Sequence, residues 1–340
     1  MDSRGFLRGC KRVAAWPLLL LVTIVCQFSP FAEGASVYST GFERSGGFDT
    51  RFTLIGQGGW TGTDANGNGI VTNSLVNTTP SQPFGLQQAF VGGYYFYNPL
   101  TNADRILNVW RPLNFDPLAE GTPVVTFSAT FAIYDSVTTT NRDCFRWSVY
   151  NMDNGGARLF TLDFDNTTTH INYELDDDVF VPTGFLFERG GEYDLVVTMN
   201  FADNLWSATL QGSEAVPTRI VDSQPMTTQG SVLDLGDIDA VWVNRDIGVY
   251  GDNYMVFDNY SVSAEAHPFR LGAVQRLESG AFLLHLTGEP ARPYAIDVTS
   301  DFVDWFALKT NIAGIDGTFD FVDATAANYT QSFYRARLVP

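Results

Sequence analysis

Apolar and polar positions alternate with a period of two along most of this chain, in short runs. The cleanest run is Val124 to Tyr134, where Val125, Phe127, Ala129, Phe131 and Ile133 interleave with Thr126, Ser128, Thr130 and Ala132. That is the pattern of a strand with one face buried. Comparable runs cover 105–112, 145–151, 159–164, 171–175, 179–181, 193–201, 206–210 and 237–243, with turn residues between them. Tyr193 to Phe201 and Trp206 to Leu210 flank Ala202-Asp203-Asn204, which predicts a hairpin. Only 227–235 leaves room for a short helical turn. About a dozen strands without a sustained helical period predict an all-β fold, a jelly-roll sandwich of two sheets, since one sheet that wide would curl or split.

The stretch that fixes the domain is Asn253 to Ala264. Met255, Phe257, Tyr260 and Val262 are apolar or aromatic with polar residues between them. It reads as the closing strand of the sandwich, paired with an opening strand around Val37 to Glu43. Glu-Ala-His-Pro follows, and the composition changes. The jelly roll is therefore expected over 36–266 and a smaller β-module over 267–340. Strand candidates in the module are Phe282 to Leu286, Tyr294 to Val298, Trp305 to Leu308, Thr318 to Val322 and Ser332 to Leu338.

Residues 1–35 have another character. Arg4, Arg8, Lys11 and Arg12 precede an apolar run from Val13 to Cys26, and Ala32, Gly34 and Ala35 are small. This describes a secretory signal peptide, with cleavage near Ala35 and a secreted, cell-surface or periplasmic destination. The run is too short, and Pro17 too disruptive, for a spanning helix. No membrane insertion is expected after cleavage.

Charge narrows the partners. The chain carries 20 basic against 38 acidic residues, a net charge of −18. From residue 36 onward the balance is 16 against 36, and Lys309 is the one lysine left. Nucleic acid and anionic membranes need basic patches, so both are disfavoured. Cys144 is the one cysteine outside the signal segment, which excludes an intramolecular disulfide framework. It reads as a small buried apolar residue.

Tyr38-Ser-Thr-Gly-Phe-Glu43, the Gly58-Gly59-Trp60 turn and Phe257-Asp-Asn-Tyr-Ser-Val262 resemble the concanavalin A-like lectin/glucanase superfamily, in particular laminin-G-like jelly rolls of secreted bacterial proteins. The C-terminal pattern, Tyr294-Ala-Ile, Thr299-Ser-Asp, Trp305 and Phe333-Tyr-Arg-Ala, resembles small fibronectin-type-III-like modules of exported bacterial proteins. The first likeness implies a sandwich that hosts enzymes, lectins and spacers alike.

Glu43 and Asp258 are the candidate metal ligands, because in similar carbohydrate-binding jelly rolls a Phe-Glu and a closing-strand Asp meet at a structural Ca2+. Some jelly-roll glucanases carry alternating carboxylates on a cleft strand. Glu174 and Asp176 offer such a pair, although Asp176-Asp-Asp178 also reads as a hairpin tip. Asp64-Ala-Asn-Gly-Asn-Gly mimics half an EF-hand loop without its terminal bidentate acid, and reads as a surface turn. Tyr94, Tyr95, Tyr97 and Trp110 are candidates for an aromatic platform under a sugar ring, with core packing as the alternative. His170, His267 and His285 are scattered, and neither a nucleophile elbow nor a phosphate loop is present.

The expected function is non-catalytic binding of a polysaccharide or cell-surface glycan by a jelly-roll face. The alternatives are a glycoside hydrolase or lyase using Glu174 and Asp176, and a structural envelope or matrix component.

Overall fold

The computed structural model describes residues 34–64, 66–74, 85–93, 106–153, 156–213, 216–245, 251–266, 269–288, 291–314, 317–329 and 331–339. They fall in two compact units that divide between His267 and Pro268. Among the described residues no helix is long and apolar enough to cross a membrane.

The first unit contains β1 (Ala35–Thr40), β2 (Thr61–Gly62), β3 (Asn68–Thr72), β4 (Gln87–Gly92), β5 (Ile106–Trp110), β6 (Val124–Tyr134), β7 (Cys144–Tyr150) and β8 (Arg158–Asp165). It continues with β9 (His170–Leu175), β10 (Phe180–Leu186), β11 (Glu192–Asn200), β12 (Leu205–Gln211), β13 (Thr218–Pro225), β14 (Asp237–Val243) and β15 (Tyr254–Glu265). These strands form two antiparallel sheets. The back sheet runs β13-β12-β11-β6-β15-β4-β3, with β1 also paired to β15. The front sheet runs β10-β9-β8-β7-β14-β5-β2. The fold is an all-β two-sheet sandwich of jelly-roll type, as the alternation predicts.

Opening and closing strands do pair. Ser36 faces Ser263 and Thr40 faces Tyr260 across the β1–β15 ladder. The closing strand is not a plain period-2 element, however. Met255 and Phe257 point into the core, and so do Tyr260 and Val262, one step out of phase. The ladder to β6 slips between Asp258 and Ser261, and Asn259 sits in the left-handed region at φ 51°. A bulge of this kind lets both apolar pairs face inward while it turns Asp258 aside.

The three terminal motifs meet in one aromatic cluster. Phe42 lies 5.3 Å from Phe257 and 5.5 Å from Trp60, and Trp60 lies 5.1 Å from Tyr260, centroid to centroid. Trp147 of β7 reaches Phe257 at 5.3 Å and Phe127 of β6 at 5.1 Å, joining the sheets. Trp60 donates to Tyr38 Oη and Tyr260 donates to the Ile238 carbonyl, while Trp147 Nε1 is buried without an acceptor. At the other end Phe160 stacks on Trp206 at 4.0 Å.

Two expectations about local structure are corrected. Segment 227–235 holds no helical turn, because its backbone donors are drawn elsewhere: Thr228 and Gln229 give their N–H groups to Asp176. The Glu174–Asp178 stretch is not a straight strand either. β9 ends at Leu175, Asp176 and Asp177 form the turn, and Asp178 is left-handed at φ 58°.

The second unit contains β16 (Arg270–Arg276), β17 (Phe282–Thr287), β18 (Pro293–Thr299), β19 (Phe306–Ile312), β20 (Thr318–Asp323) and β21 (Phe333–Leu338). They form two three-stranded sheets, β16-β17-β20 and β19-β18-β21, over a core that includes Leu271, Leu284, Leu286, Tyr294, Ile296 and Tyr334. β16 was not among the sequence candidates. Tyr334 is buried and donates to Asp323 at 2.8 Å.

Candidate functional site

Alternation along the front-sheet strands sends Trp147, Phe160, Ile171, Ile238 and Val109 into the shared core. Their neighbours must point the other way. On that outer face the ladders set Asp239 opposite Ser148, Ser148 opposite Thr161, and Thr161 opposite Glu174, with Phe180 next on β10. The Ser148 and Thr161 hydroxyls are 2.8 Å apart. A parallel row holds Asn108, Val241, Arg146, Asp163 and Asn172. Arg146 Nε donates to Asp163 at 2.8 Å, and its guanidinium lies 4.9 Å over the Phe180 ring. On the other side Tyr150 of β7 stands between Asp237 and Arg158.

This face carries unusual electrostatics. Asp163, Glu174 and Asp239 are each less than 5% exposed although none points into the apolar core. Burial raises Asp163 and Glu174 above the usual carboxylate range, against the pull of Arg146 and Arg158. Arg158 Nη1 holds Glu174 at 3.0 Å, while its other Nη donates to the Leu175 carbonyl and to Asp178. Asp239 has no such partner. It accepts from the Asn108 amide at 2.9 Å through Oδ2, and its Oδ1 is buried without a donor. Burial, and then the charge of Asp237 two residues away on the same face, push Asp239 far upward. Burial brings Asp237 to about 6. Both carboxyls of the pair are thus shifted in the direction that favours the protonated form.

At the Arg158 end a cleft of about 360 Å³ opens, lined by Tyr150, Arg158, Asp176, Asp178, Gln229 and Ser231. Its walls offer hydroxyls, an amide, carboxylates and one guanidinium, with Gly156 and Ala157 between them.

The sequence-predicted residues are distributed unevenly over this frame. Glu174 lies on the outer face, but as an arginine partner. Asp176 is not its twin. Its carboxylate accepts from the Thr227 and Thr228 hydroxyls and from the Thr228 and Gln229 N–H groups. These bonds outweigh burial and hold it down at about 2. With its lone pairs engaged, Asp176 anchors a loop and is no nucleophile or proton donor. The Glu174–Asp176 catalytic pair is therefore corrected. Trp110 stands on the outer face at the β5 edge, opposite Thr61. Tyr94, Tyr95 and Tyr97 lie outside the described residues.

Glu43 and Asp258 come together on the back sheet. Asp258 is fully buried and accepts from the Asn259 N–H at 2.8 Å and the Asn73 amide at 2.9 Å. Burial, with the Glu43 charge acting in the same sense, raises its pKa to about 7. Glu43 Oε1 accepts the Gln87 N–H at 3.1 Å, and a side chain at Gly85 would collide with that carboxylate. Neither acid has an ion pair among the described residues. Both halves adjoin left-handed residues, Phe42 at φ 55° and Asn259, and such backbone is held where structure over-determines it. No group of three or more Asp, Glu, His or Cys side chains that could hold a metal ion occurs among the described residues. The Asp64 loop is different: the Asn68 amide donates to the Asp64 and Asn66 carbonyls at 3.0 Å, which closes the turn on itself. Cys144 is buried and its thiol is pushed up to about 12 by desolvation, so it is inert.

Sequence reasoning missed Asp237, Asp239, Asp163, Arg146 and Arg158. The signal was present in Asp237-Ile-Asp-Ala-Val-Trp and Phe145-Arg-Trp-Ser-Val-Tyr, where one face of a strand is apolar and the other presents charge. The polar face of each predicted strand needed the same scrutiny as the apolar one.

No protein-family model matches the sequence, and no characterised protein matches it by sequence. Solved structures similar in backbone path include a sialidase at 10% identity and TM-score 0.40, covering 68% of this chain and 19% of that one. The basic winged bean lectin with Tn-antigen is similar at 12% identity and TM-score 0.44, over 67% and 97% of the two chains. A GH131 β-glucanase catalytic domain from Podospora anserina is similar at 10% identity and TM-score 0.35, over 53% and 73%.

Proposed function

We propose that this chain is an exported carbohydrate-binding protein that engages saccharide on the outer face of its front sheet. The observation that carries the reading is the polar cleft at Arg158, on a face flanked by Trp110 and the exposed Phe180, beside a row of Asp239, Ser148, Thr161 and Glu174 whose own side chains are each less than 5% exposed. Sugar hydroxyls both donate and accept, and a cleft lined by hydroxyls, an amide, carboxylates and a guanidinium answers both. Aromatic rings at the ends of the face offer apolar surface to a pyranose ring. Export is read from residues 1–35 alone. Ca2+ would be held by Glu43 and Asp258, where it would neutralise two acids and hold the first strand to the last. The fibronectin-type-III likeness of the C-terminal unit belongs to the same proposal.

The Asp237–Asp239 pair favours a second reading, acid–base cleavage of a glycosidic bond, because a carboxyl that is still protonated near neutrality can serve as a general acid. One experiment separates the two. The chain from residue 36 is screened on a glycan array with and without EDTA, and every polysaccharide it binds is then assayed for new reducing ends. Binding without reducing ends, lost in Trp110→Ala, supports the lectin reading. Reducing ends lost in Asp239→Asn replace it with the hydrolase. Binding that survives Trp110→Ala and a front-face Arg146→Ala variant sinks the assignment to this face.

A further inference from the structure

The outer face of the β19-β18-β21 sheet carries a cluster that nothing in the front-sheet reading uses. Tyr294 and Ile296 of β18 and Tyr334 of β21 point into the core, so Asp297, Arg335 and Arg337 point out. Arg335 and Arg337 both donate Nε to one oxygen, Asp297 Oδ2, at 3.1 Å each. Asp297 is 3% exposed, and its Oδ1 is buried with no donor. One carboxylate thus orients two guanidinium groups and leaves a net positive charge. Each arginine meets Asp297 through its Nε and stays partly exposed, 33% of the Arg335 side chain and 49% of the Arg337 side chain.

The surroundings are rigid and aromatic. Arg335 lies 4.2 Å over the Trp305 ring. Phe302 packs on Phe333 at 3.9 Å yet remains 47% exposed. It is held at φ 63°, an uncommon backbone state for a bulky residue. Its loop is stapled: Thr299 Oγ1 accepts the Asp301 and Phe302 N–H groups, and Asp301 Oδ1 accepts those of Val303 and Asp304.

We propose that Arg335 and Arg337, with Trp305 and Phe302 beside them, bind the oxyanion group of an acidic saccharide, a carboxylate or a sulfate. A planar guanidinium fork matches two oxygens of either group, and here the forks are ordered before the ligand arrives, which lowers the entropy cost of binding. The aromatic edges meet the apolar face of the sugar ring. The chain as a whole carries −18, so a polyanion is repelled everywhere except where cationic groups are presented locally. This site is independent of the front-sheet reading.

The test is calorimetric titration of the chain from residue 36 with polygalacturonate, dextran sulfate and neutral dextran, at about 150 mM salt, where screening acts beyond about 8 Å. The wild type is expected to bind at least one anionic polymer and not dextran, and the polymer bound tells carboxylate from sulfate. R335K/R337K keeps both charges but not the forks and should bind at least tenfold more weakly. D297N/R335Q/R337Q, which leaves no unpaired buried charge, should not bind. The proposal is overturned if neither anionic polymer binds, if R335K/R337K binds as tightly as the wild type, or if dextran binds equally well.

Discussion

Replacing Asp258 by Asn isolates one buried charge. Asp258 is fully buried, and its carboxyl titrates at about 7 against 3.8 in an exposed carboxyl, first because of burial and then because Glu43 is near. A folded-state pKa raised above the unfolded one means the native protein keeps a proton that the unfolded chain releases. Stability from this group is therefore full below pH 4 and is lost as pH rises from about 4 to about 7. At about 1.4 kcal/mol per pH unit, the loss reaches about 4 kcal/mol at pH 8 and about 1.5 kcal/mol at pH 5. Asn keeps the acceptor for the Asn259 N–H and cannot ionise. In EDTA, Asp258→Asn should thus melt higher than the wild type, by about 8–16 °C at pH 8 for a domain this size and by about 5–10 °C less than that at pH 5. Ca2+ added at pH 8 should raise the melting temperature of the wild type and leave the variant unmoved. Calorimetric melts at the two pH values decide the matter. A difference between variant and wild type that is equal at pH 5 and pH 8 refutes the buried-acid argument, and a Ca2+ response shared by both proteins refutes the ligand assignment.

Further outcomes follow from the same structure. Asp176→Ala removes the acceptor of the Thr227–Gln229 loop and should cost about 2–3 kcal/mol, with limited proteolysis beginning at 227–233; because its pKa is depressed to about 2, this contribution is complete above pH 4 and is lost as pH falls towards 2. Arg158→Met strands Glu174 and should cost about 3–5 kcal/mol at pH 7, while Glu174→Gln in the same chain recovers most of it, measured by a urea double-mutant cycle. Trp60→Ala opens the aromatic cluster and should cost about 3–5 kcal/mol, read as a lower urea midpoint with an unchanged slope. Trp110→Ala should leave stability within about 1 kcal/mol and weaken saccharide binding about tenfold, by titration with whichever glycan the array identifies.

The fold was legible because burial writes itself into a strand as alternation. Phe127, Phe131 and Ile133 announced β6, and the phase slip between Phe257 and Tyr260 was the trace of a bulge, although its meaning needed the ladder to β6. The nearness of Glu43 to Asp258 was suggested by motif alone, since nothing local ties Glu43 to a residue more than two hundred positions on. Asp176 misled because three consecutive acids look like a catalytic array. A turn tip is rich in acids for a different reason: their side chains cap neighbouring backbone. β16 was missed because its apolar residues are few and separated by Gly272 and Ala273. The front-face acids were missed because which strands neighbour one another is not a local property. Asp239, Ser148, Thr161 and Glu174 form a row only after β14, β7, β8 and β9 are ordered side by side.

That ordering also bears on what the front face is for. Asp163 and Glu174 are partnered by arginines, and burial of each is offset by geometry. Asp237 and Asp239 have no arginine partner, and the Asn108 amide on Asp239 is the one neutral donor that offsets their burial among the described residues. An apolar residue at 239 would remove the penalty without disturbing Ile238 or Trp242 on the other face, so the fold does not require the acid. Buried groups that the fold does not require concentrate where a ligand does. Asp237, at about 6, is the acid of the pair whose charge changes near neutrality, and as a carboxylate it accepts a hydrogen bond from a sugar hydroxyl. Protonating Asp237 below pH 6 removes the acceptor. Saccharide affinity on this face should therefore fall on acidification through pH 6, whereas affinity on the arginine face of the C-terminal unit should not change across that range.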